Sequence, residues 1–525
     1  MIIDLQAPDA PRDIRAEICI VGGGAVGLSM AVQLARAGSD VVLLEGGGRS
    51  LEQASQALHV GTNAGRRFDN IEVGRYRVLG GTTTFWGGQV LPLGEHAMGP
   101  RPWLESAGWP IAYSELEPYN DEAFALLGLE AAERDDGPIW KQLKVDPQIG
   151  EGLELLLTRW VPTRNLARHF RDDIEHRPNL RVVVHANVTG VEMCAKRTRA
   201  TAVNAKTLVG TALKVTASDF VLACGSLETA RLLLHPAADG GNLPWHGNIW
   251  LGRGFADHIN GPVAEVKVRD HAAFHALFDS AYLGGCKYYP RIRLSPELQA
   301  KERSLDVSGE FLFDTAVSQH LDNIKMFIRS LLDGRRPDNI LELPRHAASV
   351  AGIAAPLAWR YLTSKRSYKP RNANVRLSVS SEQWPNPQSA VRLSRAKDAI
   401  GMQRLEVDWR LDGREIKTLG LFARRVRDAF AANGLAEIVI DPALEREDPL
   451  FLDTLNDCVH QMSTVRMGEN AATGVVDRNL CVFGTDNLHV AGQAVFPLAG
   501  FANPTFTGIV LGLRLADRLT KPSHS

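Results

Sequence analysis

The chain is poor in cysteine. It has six in 525 residues, Cys19, Cys194, Cys224, Cys286, Cys458 and Cys481, and no C-x-x-C pair. That spacing excludes a disulfide framework and a zinc ribbon. The thiols read as reduced, buried small hydrophobes of a cytoplasmic protein. No charge of one sign dominates, with Lys+Arg 59 against Asp+Glu 60. Such a balance offers no field to gather nucleic acid or anionic lipid. Long apolar runs are missing too. The longest, residues 347–359, is interrupted by Pro356 and closed by Arg360. It falls short of the roughly 20 residues that cross a bilayer, and reads as a packed helix or a docking surface. Residues 1–15 carry Asp4, Asp9, Asp13 and two prolines, without the basic and apolar regions of a signal peptide. No His/Cys/Asp group has metal-ligand spacing, so no metal is expected. No CxxCH is present, so a c-type haem would have to lie on another chain. Internal repeats and low-complexity tracts are absent. What remains, 45% hydrophobic and 23% charged residues, is an ordinary globular composition with length for two or three domains.

The strongest positive signal is in residues 17–45. An apolar strand, Ile18–Val21, leads into Gly22-Gly23-Gly24-Ala25-Val26-Gly27; a helix of small residues follows, then a second strand, Val41–Leu44, ending in Glu45. This is a dinucleotide-binding fingerprint with its strand, helix and acid in place. Gly22 permits the tight turn, Gly24 lets the backbone approach a pyrophosphate, and Gly27 lets the helix lie close on the strand. Unpaired N–H groups at the helix start, around Ala25 and Val26, face the phosphates. Glu45 suits ribose hydroxyls. The fingerprint alone does not decide between NAD and FAD.

The expected fold class is α/β. It combines a discontinuous Rossmann-like cofactor domain (residues 14–95, 180–260 and 453–525) with an α+β substrate domain on a largely antiparallel sheet (261–452). Residues 96–179 are expected to form a helical connecting or lid region. Strand-like runs end in glycine at Phe220-Val221-Leu222-Ala223-Cys224-Gly225 and at Asn487-Leu488-His489-Val490-Ala491-Gly492. Asn503-Pro504-Thr505 places Asn at an N-cap and Pro at the first helical position. A helical insertion is expected at about residues 316–362.

Four segments, in order along the chain, resemble the glucose–methanol–choline (GMC) family of FAD-dependent oxidoreductases. They are Gly22 to Gly27 with Glu45; Gly80-Gly81-Thr82-Thr83-Thr84-Phe85-Trp86-Gly87-Gly88; residues 220–234 with Gly252-Arg253-Gly254-Phe255-Ala256-Asp257-His258; and His460-Gln461-Met462-Ser463-Thr464-Val465-Arg466-Met467-Gly468 through Val475-Val476-Asp477 to Phe496-Pro497 and Asn503-Pro504-Thr505. The second segment is similar to a sugar-oxidising branch, the pyranose oxidases and the large subunits of fructose-type dehydrogenases. In some of those relatives a histidine in this loop bonds the flavin. Here Phe85 stands there and cannot form that bond, so non-covalent FAD is expected.

The resemblance implies FAD-dependent oxidation of a sugar or glycoside hydroxyl to a carbonyl. His460 is then the general base, hydride passes to flavin N5, and Asn503 hydrogen-bonds the substrate oxygen. Cofactor contacts implied are Gly22, Gly24, Ala25, Val26, Gly27, Glu45, Gly81, Thr82, Trp86, Gly87, Gly88, Val188, Gly225, Gly492, Gln493 and Thr505. Gln493 is an amide where many flavoproteins place an acid. His258 reads as structural. The partners expected are a small alcohol and an electron acceptor (oxygen, a quinone or a redox protein), with no nucleic acid and no transmembrane segment. Rival readings are an NAD-dependent dehydrogenase, a sterol-like or aliphatic alcohol oxidase, and a redox-inactive FAD scaffold.

Overall fold

Six parallel strands form the sheet that carries the fingerprint, in the order Ile2–Asp4, Leu180–Val184, Val41–Leu44, Ile18–Val21, Asp219–Leu222, Leu488–Val490. The computed structural model describes residues 1–521, apart from 107, 238–239, 315–326 and 328–342. The strands Ile18–Val21 and Val41–Leu44 are buried at every position. Such continuous Val/Ile/Leu runs are what a parallel sheet covered on both faces requires. Strands from both ends of the chain share this sheet. Phe220 sits in register with both Cys19 and Leu488. The helices Ala25–Arg36 and Pro504–Thr520 pack together, close enough that a Cβ on Gly512 would lie 2.9 Å from the Met30 side chain.

The second large sheet is antiparallel throughout. Its order is Ala436–Ile440, Ile259–Val268, Asn374–Ser381, Val307–Asp314, Cys286–Leu294, Leu153–Trp160, Gln89–Val90. The amphipathic helix Glu415–Ala432 covers it, burying Leu419, Phe422, Val426 and Phe430. Phe430 joins Phe274, Phe278 and Phe311 in a cluster with ring centroids 4.5 to 6.2 Å apart. Each such ring removed from water contributes about 1.5–3 kcal/mol.

One expectation needs correction. Residues 96–179 are not only helical and connecting, because Leu153–Trp160 is a strand inside the antiparallel sheet, paired over its length with Cys286–Leu294. Its run Leu-Glu-Leu-Leu-Leu-Thr-Arg-Trp lacks strict alternation, and that masked it. The helical insertion falls largely outside the described residues. What is described is the helix Leu343–Ser364, with Pro356 inside it. One face of its last turns is open, with Trp359 72% and Leu362 67% exposed, while Arg360 on the same turns pairs with buried Asp279 (2.6 Å). Among the described residues no helix is long and apolar enough to cross a membrane.

Candidate functional site

One cavity of about 470 Å³ runs from the carboxyl ends of the parallel strands toward the antiparallel sheet. Ligands of open α/β sheets bind at such strand ends. Gly22, with φ +108°, makes the turn after the first strand, and a Cβ there would lie 2.6 Å from Cys224 Cα. At Gly27 a Cβ would sit 1.9 Å from the Gly22 carbonyl oxygen. Gly27 therefore sets the helix against the strand and does not line the cavity, whereas Gly22, Gly24, Ala25 and Val26 do. The helix begins at Gly24 with no side-chain cap. Its first N–H groups stay open to the cavity, and a Cβ on Gly24 would meet nothing within 4 Å. An uncapped helix start open to a cavity forms a cradle of the kind that suits an anion such as a pyrophosphate.

Glu45 is nearly buried and fixes the same turn. Its carboxylate accepts from Gly23 N–H (2.9 Å) and Gly47 N–H (2.8 Å). Burial raises its pKa against those hydrogen bonds and the nearby Arg77. Val188, Gly225 and Gln493 line the cavity as well. Gly492 does not; it lies behind the wall against Val26.

A network of charges that sequence reasoning missed surrounds this end. Glu228 pairs with Arg75 (2.5 Å), Arg77 (3.3 Å) and Arg231 (3.3 Å), and Arg231 also pairs with Asp398 (2.5 Å). Burial works against the Glu228 charge, but Arg231, Arg77 and Arg75 hold its pKa well below the usual range. Three guanidinium groups thus stand beside the cradle, interleaved with Glu228, Asp398 and Glu45, and guanidinium groups are suited to a diphosphate. No motif marked these residues, because they lie far apart in sequence.

The loop from Gly80 to Gly88 closes over the cradle. Gly81, with φ +53°, lies so near that a Cβ would be 2.9 Å from Gly24 Cα. Gly81, Thr82, Trp86, Gly87 and Gly88 all line the cavity. Trp86 donates its indole N–H to the Arg164 carbonyl (2.8 Å), which fixes the ring. Phe85 stacks on Tyr76 at 3.9 Å.

At the far end stand His460 and Asn503, with Thr505, Gln89 and Trp160. Asn503 Nδ2 is 3.4 Å from His460 Nε2. Asn503 starts the helix Pro504–Thr520 but makes no side-chain cap. Its Oδ1 is buried without a hydrogen-bond partner among the described residues. The amide is thus spared from capping and free to meet a ligand.

His460 is held from two sides. Residues 256–260 run antiparallel to 456–462, bridged at Ala256 with Met462 and at Asn260 with Asn456. This sets Asp257 and His258 opposite His460. The Asp257 carboxylate accepts from the N–H groups of Cys458 and His460, each at 3.0 Å. Between those two lies Val459, a β-branched residue at φ +62°. That conformation is strained for valine, and the buried carboxylate pins both flanks of it. His258 Nδ1 is 2.9 Å from His460 Nδ1. Burial, His258 and Arg291 push the His460 pKa well below the usual histidine value, and burial takes His258 down to about 4. Both imidazoles are neutral at neutral pH.

Comparison with known proteins places this arrangement. Residues 385–512 match the family described as GMC oxidoreductase. The chain is 24% identical over 555 aligned positions to the paromamine 6'-oxidase of Streptomyces fradiae, covering 95% of this chain and 90% of that protein. It is 31% identical over 128 residues to a C-glycoside 3-oxidase of Microbacterium trichothecenolyticum, a match that spans only 23% of either chain. Among solved structures, its fold is like that of formate oxidase (TM-score 0.57, 18% identity, 98% of this chain and 99% of that one). It is also like pyridoxine 4-oxidase from Mesorbium loti (TM-score 0.53, 16% identity, 96% and 99%). The family match covers the segment that carries both His460 and Asn503, and the long alignment covers 95% of the chain: residues 385–512 carry the GMC oxidoreductase domain, that of FAD-dependent enzymes acting on CH–OH groups, and the rest of the chain is similar to such an oxidase.

Proposed function

We propose that the protein oxidises a hydroxyl of a sugar or glycoside to a carbonyl, with His460 as general base and Asn503 as hydrogen-bond partner of the substrate oxygen. The observation that carries this reading is the pair His460 Nε2 and Asn503 Nδ2, 3.4 Å apart on a cavity whose other end is the dinucleotide cradle. FAD, when bound, supplies the acceptor for the substrate hydride. The cradle at Gly24, Glu45 and the Arg75/Arg77 cluster would hold its ADP half, and the loop from Gly81 to Gly88 with Thr505 would cover the rest.

The chain's own groups do the proton work. A neutral imidazole keeps a lone pair at Nε2 and takes the hydroxyl proton as the carbon loses hydride. The Asn503 N–H donates to the oxygen while negative charge grows on it. An amide cannot compete for the proton. Trp86 and Trp160 give the cavity flat apolar faces, and Gln89 adds an amide. Aromatic planes with a few polar groups suit a sugar ring better than a long alkyl chain or sterol. The relatives named for paromamine and C-glycosides support the same substrate class.

The FAD is non-covalent in this reading, because Phe85 offers no nucleophile. Acid precipitation should leave the yellow colour in solution, and colour in the pellet would refute it. A cytoplasmic location belongs to the same proposal, supported by six cysteines that are all unpaired. The test of the function is anaerobic mixing with a panel of sugars, glycosides, aliphatic alcohols and sterols while the flavin absorbance is followed. Reoxidation by oxygen and by quinones then identifies the acceptor. Bleaching by aliphatic alcohols or sterols alone would overturn the substrate class. No bleaching by any alcohol would favour a redox-inactive scaffold.

A further inference from the structure

His258 does more than fill the core. We infer that His258 is a positioning residue for His460: its Nδ1 lone pair accepts the His460 Nδ1 proton and so leaves His460 Nε2 unprotonated toward Asn503 and the cavity. The inference rests on the reading of His460 as base.

The argument is one of proton counting. The two Nδ1 atoms are 2.9 Å apart, so one of them carries a proton and the other accepts it. Two arrangements satisfy this contact. In the first, His460 donates from Nδ1, its Nε2 keeps a lone pair, and Asn503 Nδ2 donates toward that lone pair at 3.4 Å. In the second, His258 donates, and His460 must carry its own proton on Nε2. With the amide oriented as it is, that proton would face the Asn503 N–H, donor against donor; only an amide turned over to present Oδ1 would accept it. The first arrangement satisfies every contact of His460 and is also the only one in which Nε2 can accept a proton.

His258 must then carry its proton on Nε2. That atom is buried (His258 is 0% exposed) and has no well-formed hydrogen bond among the described residues, although the Gly500 backbone is a neighbour of the ring. The cost of that poorly paired N–H is borne where it has a use: it forces the tautomer of the neighbouring ring.

The choice of a neutral imidazole over a carboxylate in this position matters. A carboxylate behind the base would stabilise the imidazolium strongly and hold the proton on His460. A neutral acceptor orients the ring and fixes its tautomer with a weaker pull. His460 can then release the proton once the product leaves. The charged or titratable groups around the pair are Arg291 from the strand Cys286–Leu294, Asp306 before the strand Val307–Asp314, and Asp257 and Cys458 alongside. None of them makes a side-chain hydrogen bond to either ring, so the tautomer is set by the pair together with Asn503. Asp257 acts through the backbone and His258 through the ring. Two consecutive residues thereby fix both the place and the protonation of one side chain.

The test is histidine ring ¹⁵N NMR on the FAD-loaded protein, with signals assigned from His460→Gln and His258→Gln. In the parent, His460 should show a protonated, pyrrole-type Nδ1 and an unprotonated, pyridine-type Nε2. His258→Asn keeps an oxygen acceptor and should keep that pattern. His258→Leu removes the acceptor and should mix or reverse it. A protonated Nε2 on His460 in the parent overturns the inference, and needs no variant. So does an unchanged pattern in His258→Leu. With the alcohol that bleaches the flavin fastest, His258→Leu should reduce flavin about 10–100-fold more slowly, and His258→Asn less than about threefold. Equal losses in the two variants would mark a merely structural role. The base reading fails separately, if His460→Ala leaves flavin reduction unchanged.

Discussion

The two ends of the cavity are built on opposite electrostatic plans. At the cradle, Glu228 and Asp398 bind three arginines in ion pairs. At the far end, His258, His460 and Asn503 are neutral and joined by hydrogen bonds. A fixed charge suits a group that is only held, such as a diphosphate. A group that must take up and give back a proton works better where its neighbours do not commit it to one state. The difference separates binding from chemistry, and mutation should separate them too.

The sharpest break is His460→Ala. It should retain bound FAD and lose flavin reduction by about 10²–10⁴-fold, read by stopped-flow absorbance. Loss of flavin from this variant would blur the two ends into one. The converse is Glu228→Ala. It takes the carboxylate partner from Arg75 and Arg77, while Arg231 keeps Asp398, and since Glu228 is 16% exposed the cost should fall near the low end, about 3 kcal/mol. Chemical denaturation of the apoprotein measures this, together with weaker FAD retention. The same carboxylate makes a pH prediction. Its folded pKa is depressed, so its stabilisation is present above the unfolded value of about 4.3 and is lost as pH falls through the lower folded value. Glu228→Gln should flatten that part of the acid unfolding curve.

Asn503→Ala should slow flavin reduction by about 10²-fold with FAD affinity unchanged, as the loss of one donor to a developing oxyanion does. The smallest effect is expected from Glu45→Gln. One carboxylate oxygen becomes an N–H facing the Gly23 or Gly47 donor, and FAD affinity should fall about tenfold, a net loss near 1.4 kcal/mol. Reduction of the FAD that remains should proceed at the parent rate. A slowed rate there would show that the two ends are coupled.

These regions also differed in how far the sequence disclosed them. The glycine turn is local: its strand, helix and acid lie within 30 residues, and each has a backbone reason to be where it is. The helix start at Asn503 was legible for the same reason. The ion-pair network was not, since Arg75 and Glu228 meet only after the sheet has formed. The contact of His258 with His460 was not legible either, because the two are 202 positions apart and no spacing rule reaches that far. The strand Leu153–Trp160 was missed because its apolar run lacks alternation. It matters to the site, since Trp160 at its end lines the cavity.

The order of strands in the parallel sheet has a consequence for how the protein is made. Strand Ile18–Val21 leaves the ribosome early, yet the sheet closes only when Leu488–Val490 joins Asp219–Leu222, and Asn503 comes later still. At 5–20 residues per second, that interval is on the order of a minute. For most of that time the glycine turn is displayed without His460 or Asn503. Loading of FAD onto the finished site therefore follows synthesis, and a nascent chain that stalls before Leu488 can at most hold a nucleotide without turning it over.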